Sequence, residues 1–592
     1  MKESRLRDER GYALMLVVFM ILLFTLLGVS ILGASLGGAV RTETKENDVQ
    51  SLHLAERGLN EAVSYLVKEY DGVSDISDVE LHQYMMGIEA NPGKLMEDAV
   101  QTTNLSGAEA AKVTVEKVEQ TSPMSYKVFI TSEANVNGVI RKLEQEVRVD
   151  AFPDFLNYSF GSEQNVVLNG SPLAIGSVYA GGELKINNYA QYKYKTAHFL
   201  EKLSQYPNII GTLYVQSPLS IKYADPTVVA ADPNDRYVSI PQNDPDKLEE
   251  LLGLSYDHIH IKDRSKFVSI NVRESFLDKA ELAVGRKPGV REELETALNV
   301  STDEFVNRLV LNGVRRVAYR SEPALPNWDD EEAVERYEAE RDDYVNNYLS
   351  LFNSKLTETI VFDDDLTLDG VAYKQLVYDA ASRASNKWFI VNGDLNINNY
   401  SNEELAIQAN ILVTGKVTIT GKGIRVDSTM FCLGEGEPDE MTIVQDAELK
   451  GYDSKQLVLL SVPPILLNRF DAFTNYGRYE GEERVKHRLD AFFYTEGTAE
   501  LYGVGSSFWL NGGFFAKQQL TINAVLGNVT EAPDKPEGMN FDDQIFANEL
   551  DSRFIIDYNI DIFNDQYDGL PRVNQLSVTL GSRKLVHEST TS

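Results

Sequence analysis

The sequence predicts a chain in two parts. An α+β module comes first, built on one long N-terminal helix with a small antiparallel sheet. A large mainly-β domain follows, expected as a β-helix or β-solenoid with a helical insertion; a β-sandwich is the competing fold. Three observations predict this. An uncharged apolar run from Tyr12 to Val40 continues into an apolar stripe of helical period. An Asn-Gly dipeptide, Asn137-Gly138, sits between alternating stretches. A nine-residue pattern recurs in the C-terminal two thirds of the 592 residues.

The first element is a helix long enough to cross a bilayer. Residues Met1 to Gly11 are polar, and no charge occurs between Tyr12 and Val40. A run of about 29 residues at ~1.5 Å each reaches about 43 Å, more than the ~30 Å hydrocarbon core requires. A cleaved secretory signal usually has only about 7 to 15 apolar residues, so a retained span is expected. Arg5, Arg7 and Arg10 precede the run and the acidic bulk follows it, which places the short tail in the cytoplasm and the rest outside.

The helical pattern does not stop at Val40. Val49, Leu52, Leu59, Val63, Leu66 and Tyr70 recur at spacings of three, four and seven with Ala55 and Ala62, while Glu46, Asp48, Arg57 and Asn60 fall mainly elsewhere. One helix is expected to lie first in lipid or a helical core, then to pack an apolar face on a globular head.

At these residues a family resemblance becomes specific. Arg10-Gly11 and the following YALMLVVFMILLFTLLGVSIL look like a prepilin cleavage junction. HLAERGLNEA, His53 to Ala62, resembles the N-terminal signature of PilX-type minor pilins, with Ala55, Glu56, Gly58 and Leu59 as signature residues. The resemblance covers about the first 60 residues. It implies cleavage after Gly11 by a prepilin peptidase, methylation of Tyr12, and assembly with other pilin subunits into a type IV pilus or a secretion pseudopilus. The fifth residue of the mature chain would be Leu16, where major pilins carry a Glu that pairs with a neighbouring N-terminus. PilX-type pilins and the tip pseudopilin of type II secretion resemble this chain in lacking it. Without that carboxylate a subunit cannot neutralise the next one's buried amine, a defect that a tip or initiating position avoids. Gly33 and Gly37 form a small-xxx-small pair with Ala34, which suits close helix approach; glycine is also simply common in membrane helices.

Val113 and Val115 alternate with polar neighbours, and Tyr126 to Ile130 repeats the alternation. Asn137-Gly138 suits a type I′ turn, in which both central residues need positive φ, and leads into the alternating Val139 to Val149 run. A meander laid on the outward half of the helix is expected. The organisation is then 1–11 as cytoplasmic leader, 12–40 as transmembrane or filament-core helix, 41–150 as amphipathic helix and sheet, and 151–592 as ectodomain.

In the ectodomain VYAGGELKI (Val178 to Ile186), FIVNGDLNI (Phe389 to Ile397), ILVTGKVTI (Ile411 to Ile419), FYTEGTAEL (Phe493 to Leu501) and FFAKQQLTI (Phe514 to Ile522) share apolar residues, a break and an alternating strand. The adjacent pairs are offset by 22 and 21 residues, close to the shortest periods of stacked coils. Gly at the break permits a corner, and Asn187-Asn188 and Asn398-Asn399 are expected to satisfy corner amides. A helical insertion at about 281–360, with helices at Glu292 to Leu311 and Asp329 to Leu356 parted by Pro323 and Pro326, reads as a decorating subdomain. Its charged stretch Glu331 to Asp343 reads as a solvated face.

Chemistry is weakly signalled. Ninety acidic against 56 basic residues give a net charge of −34, which repels a phosphate backbone, so no nucleic-acid partner is expected. One cysteine, Cys432, excludes an internal disulfide and a Cys-based zinc site, and reads as a buried small hydrophobe. Asp363, Asp364, Asp365 and Asp369, and Asp561, Asp565 and Asp568, supply oxygens for calcium but match no EF-hand spacing. His258 and His260, expected on one side of a strand, lack a third ligand. No nucleophile elbow, HExxH pair or phosphate loop occurs, so no catalysis, cofactor or metal is expected.

The expected function is a minor pilin at the tip or start of a filament. Its C-terminal domain lies outside the cytoplasmic membrane before assembly and at the pilus or cell surface afterwards, with the head free to meet a surface ligand. The alternatives are a membrane-anchored carbohydrate-binding or carbohydrate-cleaving β-helix protein and a bactofilin-like scaffold.

Overall fold

The computed structural model describes residues 10–68, 78–90 and 111–586, apart from 123, 195–197, 229–235, 242–243, 263, 265–266, 435–440, 454, 469–472, 474–487, 536–537, 543–548, 563–568, 572 and 574–575. The chain combines a long N-terminal apolar helix with a large mainly-β domain of several sheets. Contacts divide it into two units. One takes in the described residues up to Asp150 with those from Val578 onward, and the other runs from Ala151 to Ser577.

In the first unit, helix α1 runs unbroken over 59 residues, Arg10–Lys68, about 88 Å at ~1.5 Å per residue. No proline interrupts it. A shorter helix, α2 (Asp78–Ala90), buries Leu81, Met85 and Ile88. Strands β1 (Ala111–Ser122), β2 (Ser125–Val136) and β3 (Val139–Asp150) form an antiparallel meander. Asn137 and Gly138 take φ of 48° and 85°, the values a type I′ turn requires, and Val136 pairs with Val139 across it. The outward half of α1 packs on the meander through Asn47, Ser51, Ala55, Gly58, Leu59, Ala62 and Leu66. This face is rotated from the expected stripe: Val49 is 52% exposed, while Asn47 and Ser51 are buried. The small residues let the helix approach closely, so size selects the contact face here more than hydropathy. Tyr70 lies outside the described residues.

The meander has a fourth strand that the sequence reading missed. Ser577–Val586 lies beside β3, so 151–592 is not one continuous ectodomain. Arg583 donates to Asn60 Oδ1 (3.0 Å) and Gln145 Oε1 (3.2 Å), and its guanidinium lies 3.7 Å from Glu56. The second unit is thus inserted between the third and fourth strands of the first. Most of this strand's side chains are exposed, so it carries no buried apolar run to announce it.

The second unit contains two long sheets, of 15 and 14 strands among its described residues. Each recurring segment gives one strand to each sheet. Phe389–Val391 and Leu395–Asn399 pair in parallel with Ile411–Val413 and Val417–Val426, with Phe389 opposite Ile411 and Leu395 opposite Val417. Phe493 likewise lies opposite Phe514, and Leu501 opposite Ile522. The 22- and 21-residue offsets are therefore physical registers. Inward residues of both sheets, among them Phe389, Leu395, Phe514 and Ile522, meet in one buried core.

The order of strands in space is not their order in the chain. In the larger sheet it runs Ile259–Ile261, Leu213–Val215, Val178–Ala180, Phe160–Ser162, then Phe508–Ala516, Leu489–Thr495, Leu457–Ser461, Ser428–Cys432, Ile411–Val413, Phe389–Val391, Ile360–Phe362 and Arg315–Val317. The chain starts mid-stack, winds to one end, reappears at the other, and winds back until Phe514 pairs with Phe160. The stack is sequential except that the two halves are exchanged.

This order corrects the reading of the helical segment, which begins at Val272 rather than near 281 and is the connection between opposite ends. Its helices are Val272–Ala283, Val290–Val300 and Thr302–Leu311. The expected helix over Glu292 to Leu311 breaks at Ser301, whose hydroxyl accepts from Glu304 N. The first helix buries Phe276, Leu277 and Ala280. Arg315–Val317, inside the expected insertion, is an end strand.

Both ends of the stack are covered by apolar elements. Helix Pro245–Leu252 contributes Leu248, Leu251 and Leu252 to the core at one end. At the other, helix Glu331–Asp343 buries nothing, and the chain then turns inward so that Tyr344, Tyr348, Leu351 and Phe352 enter the core. Such covers blunt strand edges that would otherwise recruit further chains.

Candidate assembly surface on the N-terminal helix

The two halves of α1 have opposite surroundings. Among the described residues none buries Leu14 to Val40, whose large apolar side chains are 41 to 73% exposed. Apolar surface this continuous requires lipid or protein around it. Two hydroxyls along it bond the preceding turn: Thr25 donates to Ile21 O, and Ser30 to Leu26 O at 2.8 Å. Donation to the preceding turn lets these side chains sit where water is absent.

The expected site residues fall on both halves. Gly11 and Tyr12 lie in the first turn of the helix, with residues 1–9 outside the described ones. Leu16 is 54% exposed. Gly33 and Gly37 stand one turn apart, and a Cβ at either would meet nothing within 4 Å, so the smallness of these residues serves nothing inside the chain.

The signature residues pack within the unit. Ala55 and Leu59 are fully buried. A Cβ on Gly58 would overlap Ser132 Oγ and stand 3.0 Å from Ala111 Cβ, so only glycine lets α1 seat on β1 and β2. Glu56 lies between His53 Nδ1 (3.4 Å) and Arg583. Arg583 and Gln145, which complete this cluster, carried no sequence signal because their partners are hundreds of residues away or on another strand.

The remaining candidates sit in the second unit. Asp363 to Asp365 form a corner of the stack: Asn392 Nδ2 donates to Asp363 Oδ1 at 2.7 Å and Asp394 N to Asp365 Oδ1 at 2.7 Å. Asp369 accepts three backbone amides, from Val371, Ala372 and Tyr373. These oxygens are engaged by amides of the surrounding loops and strands. Asp565 and Asp568 lie outside the described residues. Among those described, no three His, Cys, Asp or Glu side chains are grouped as metal ligands. His258 belongs to a 3-10 turn rather than a strand, bonded to Ser255 Oγ, while His260 stacks on Tyr214, so the two do not share a strand face. Of the corner asparagines, Asn187 accepts from Tyr189 N, and Asn399 donates to Glu403 O and Lys422 O.

Cys432 is fully buried, and burial pushes its thiol up to about 11. At pH 8 about one molecule in a thousand is then thiolate. Iodoacetamide is expected to leave Cys432 unmodified in the folded chain and to alkylate it fully in denaturant. Alkylation at equal rates in both would contradict this burial.

An outward row, aromatic at every position but Gly161, crosses six adjacent strands: Tyr494, Phe515, Gly161, Tyr179, Tyr214 and His260. Phe155, Tyr158 and Phe267 cover it, with Phe155 4.4 Å from Tyr494 and Phe267 4.6 Å from Tyr179 between ring centres. Tyr494, Phe515 and Tyr179 are fully buried, so this part of the row forms a second core rather than an open stacking platform, while Tyr214 is half-buried and His260 exposed.

No family model and no curated protein matches the sequence. Among solved structures, the crystal structure of the competence-associated pilin ComZ from Thermus thermophilus aligns over 91% of this chain and 98% of that one, at 11% identity and a TM-score of 0.23. A TM-score that low does not establish a shared fold.

Proposed function

We propose that this chain is a minor pilin. Its apolar half-helix holds it in the cytoplasmic membrane, a prepilin peptidase cuts between Gly11 and Tyr12, and the same half-helix then packs among those of other pilin subunits. The supporting observation is the division of α1: Leu14 to Val40 exposed among the described residues, and Asn47 to Leu66 seated on an antiparallel sheet of the same unit. One rigid element thus joins an apolar surface in need of partners to a folded head. With Leu16 where a pairing carboxylate would stand, the tip or initiating position follows.

The second unit is, in this proposal, a β-solenoid that extends the head for contact with a surface or partner. Parallel pairing of successive coils at 21- to 22-residue registers supports that reading. We assign it no catalysis; Tyr494, Phe515 and Tyr179 in its aligned row are buried and offer no open stacking groove.

Gly33 and Gly37 provide the test. Since a Cβ at either meets nothing in the chain, Gly33→Ile with Gly37→Ile is expected to leave membrane insertion and head stability unchanged. Recovery of the chain in sheared filaments is expected to fall at least about tenfold, the effect of losing ~1.4 kcal/mol of helix packing. A wild-type chain that never enters the sheared fraction would overturn the filament reading.

A further inference from the structure

Where the apolar run ends, α1 and the start of β3 enclose an open cleft of about 450 Å³. Arg41, Thr44, Lys45 and Asp48 line it from successive turns of one helix face, with Val139 and Arg141 opposite. Arg141 is paired with Asp48, so that carboxylate is already engaged. Among the described residues no carboxylate pairs with Arg41 or Lys45, and both are exposed. Glu43 and Glu46, on the same stretch, do not line the cleft. Three cations thus converge around one carboxylate in a chain of net charge −34.

Position identifies the ligand. Arg41 directly follows Val40, and Lys45 stands about 6 Å farther along the axis. The headgroup layer beyond the ~30 Å hydrocarbon core is about 5 to 8 Å deep on each side. Residues 12–40, about 43 Å of helix, fit that core at a tilt of about 40°, which shortens them to about 33 Å; on this reading, on which the inference rests, Arg41 and Lys45 lie at headgroup depth. A guanidinium and an ammonium side by side match a phosphodiester, the guanidinium in a forked geometry and the ammonium as a point charge. We propose that Arg41, Lys45 and Arg141 form a binding site for the phosphate of an anionic phospholipid in the extracytoplasmic leaflet. The site holds the subunit at fixed depth and orientation before it enters a filament.

The test titrates the detergent-extracted full chain with phosphatidylglycerol under native mass spectrometry, with alkaline extraction from membranes scored in parallel. Arg41→Gln with Lys45→Gln is expected to weaken phosphatidylglycerol binding about 25-fold, from roughly fivefold per charge, while Lys112→Gln on β1 leaves it unchanged. Equal affinity in the double variant overturns the site. Displacement of the lipid by millimolar inorganic phosphate overturns the lipid as its source. A double variant that keeps its lipid but loses cross-linking to neighbouring subunits assigns the cleft to a subunit carboxylate and overturns the proposal. Failure of the wild type to resist alkaline extraction instead overturns the anchored reading itself, so the two failures are distinguishable.

Discussion

Asp427→Ala is expected to destabilise the second unit by about 3 to 5 kcal/mol, the usual cost of stranding a buried ion-pair partner. Asp427 is 1% exposed and accepts both guanidinium nitrogens of Arg383, at 2.5 and 2.9 Å, with Lys455 Nζ at 3.2 Å. Its backbone amide donates to Ile407 O. Removing the carboxylate leaves two cations, one of them mostly buried, without their counter-charge. Asp427→Asn keeps the shape and one acceptor oxygen, so it is expected to fall between wild type and alanine. Denaturant unfolding of the full chain reads both changes as shifts of midpoint at constant slope. A wild-type midpoint for Asp427→Ala would show that the pair contributes nothing net.

The second large effect is expected at Gly170, where the two exchanged halves of the stack meet. Asn165–Gly170 pairs in parallel with Gln519–Ala524, and Asn169 Nδ2 donates to Asn523 Oδ1 at 3.1 Å. Gly170 has φ of 77°; a Cβ there would overlap the carbonyl oxygen of Ala524 and stand 2.9 Å from Ala190 Cβ. Gly170→Val combines a disfavoured backbone conformation with overpacking, together about 2 to 6 kcal/mol. Gly138→Ala is the control. Its φ of 85° is equally unfavourable, yet its Cβ would meet nothing within 4 Å, so only about 1 to 2 kcal/mol is expected. Equal losses at the two sites would contradict the close contact between the halves.

What the sequence revealed was local. The type I′ turn at Asn137-Gly138 follows from two residues that tolerate positive φ, and the parallel strand registers follow from apolar residues that recur at a fixed offset. The uncharged run before Arg41 announces its own need for lipid or partner helices. Pairings between distant segments were hidden. Nothing near Phe160 or Phe514 indicates that they lie side by side, and the strand around Arg583 is too exposed to show an apolar pattern. The helical segment looked like decoration because its role as a connection appears only once both ends of the stack are located. Val49 was misplaced for a different reason: hydropathy marked it as core, whereas close packing of α1 on the sheet selected the small residues beside it.

The stretch His53 to Ala62 stood out in the sequence before its packing was visible. Gly58 is required by the approach of β1 and β2, and Glu56 is held near Arg583 from the far end of the chain. Arg41, Lys45 and Arg141 form the converse case. Each is unremarkable in the sequence, and only the turn into β3 brings Arg141 opposite the other two.

The most direct test of the proposed function is the N-terminal mass of the chain extracted from its native membrane, with and without the host's prepilin peptidase. The minor-pilin account predicts a chain beginning at methylated Tyr12 when the peptidase is present and an intact Met1 form when it is absent. An unprocessed N-terminus in both would contradict it and leave α1 as a membrane anchor alone.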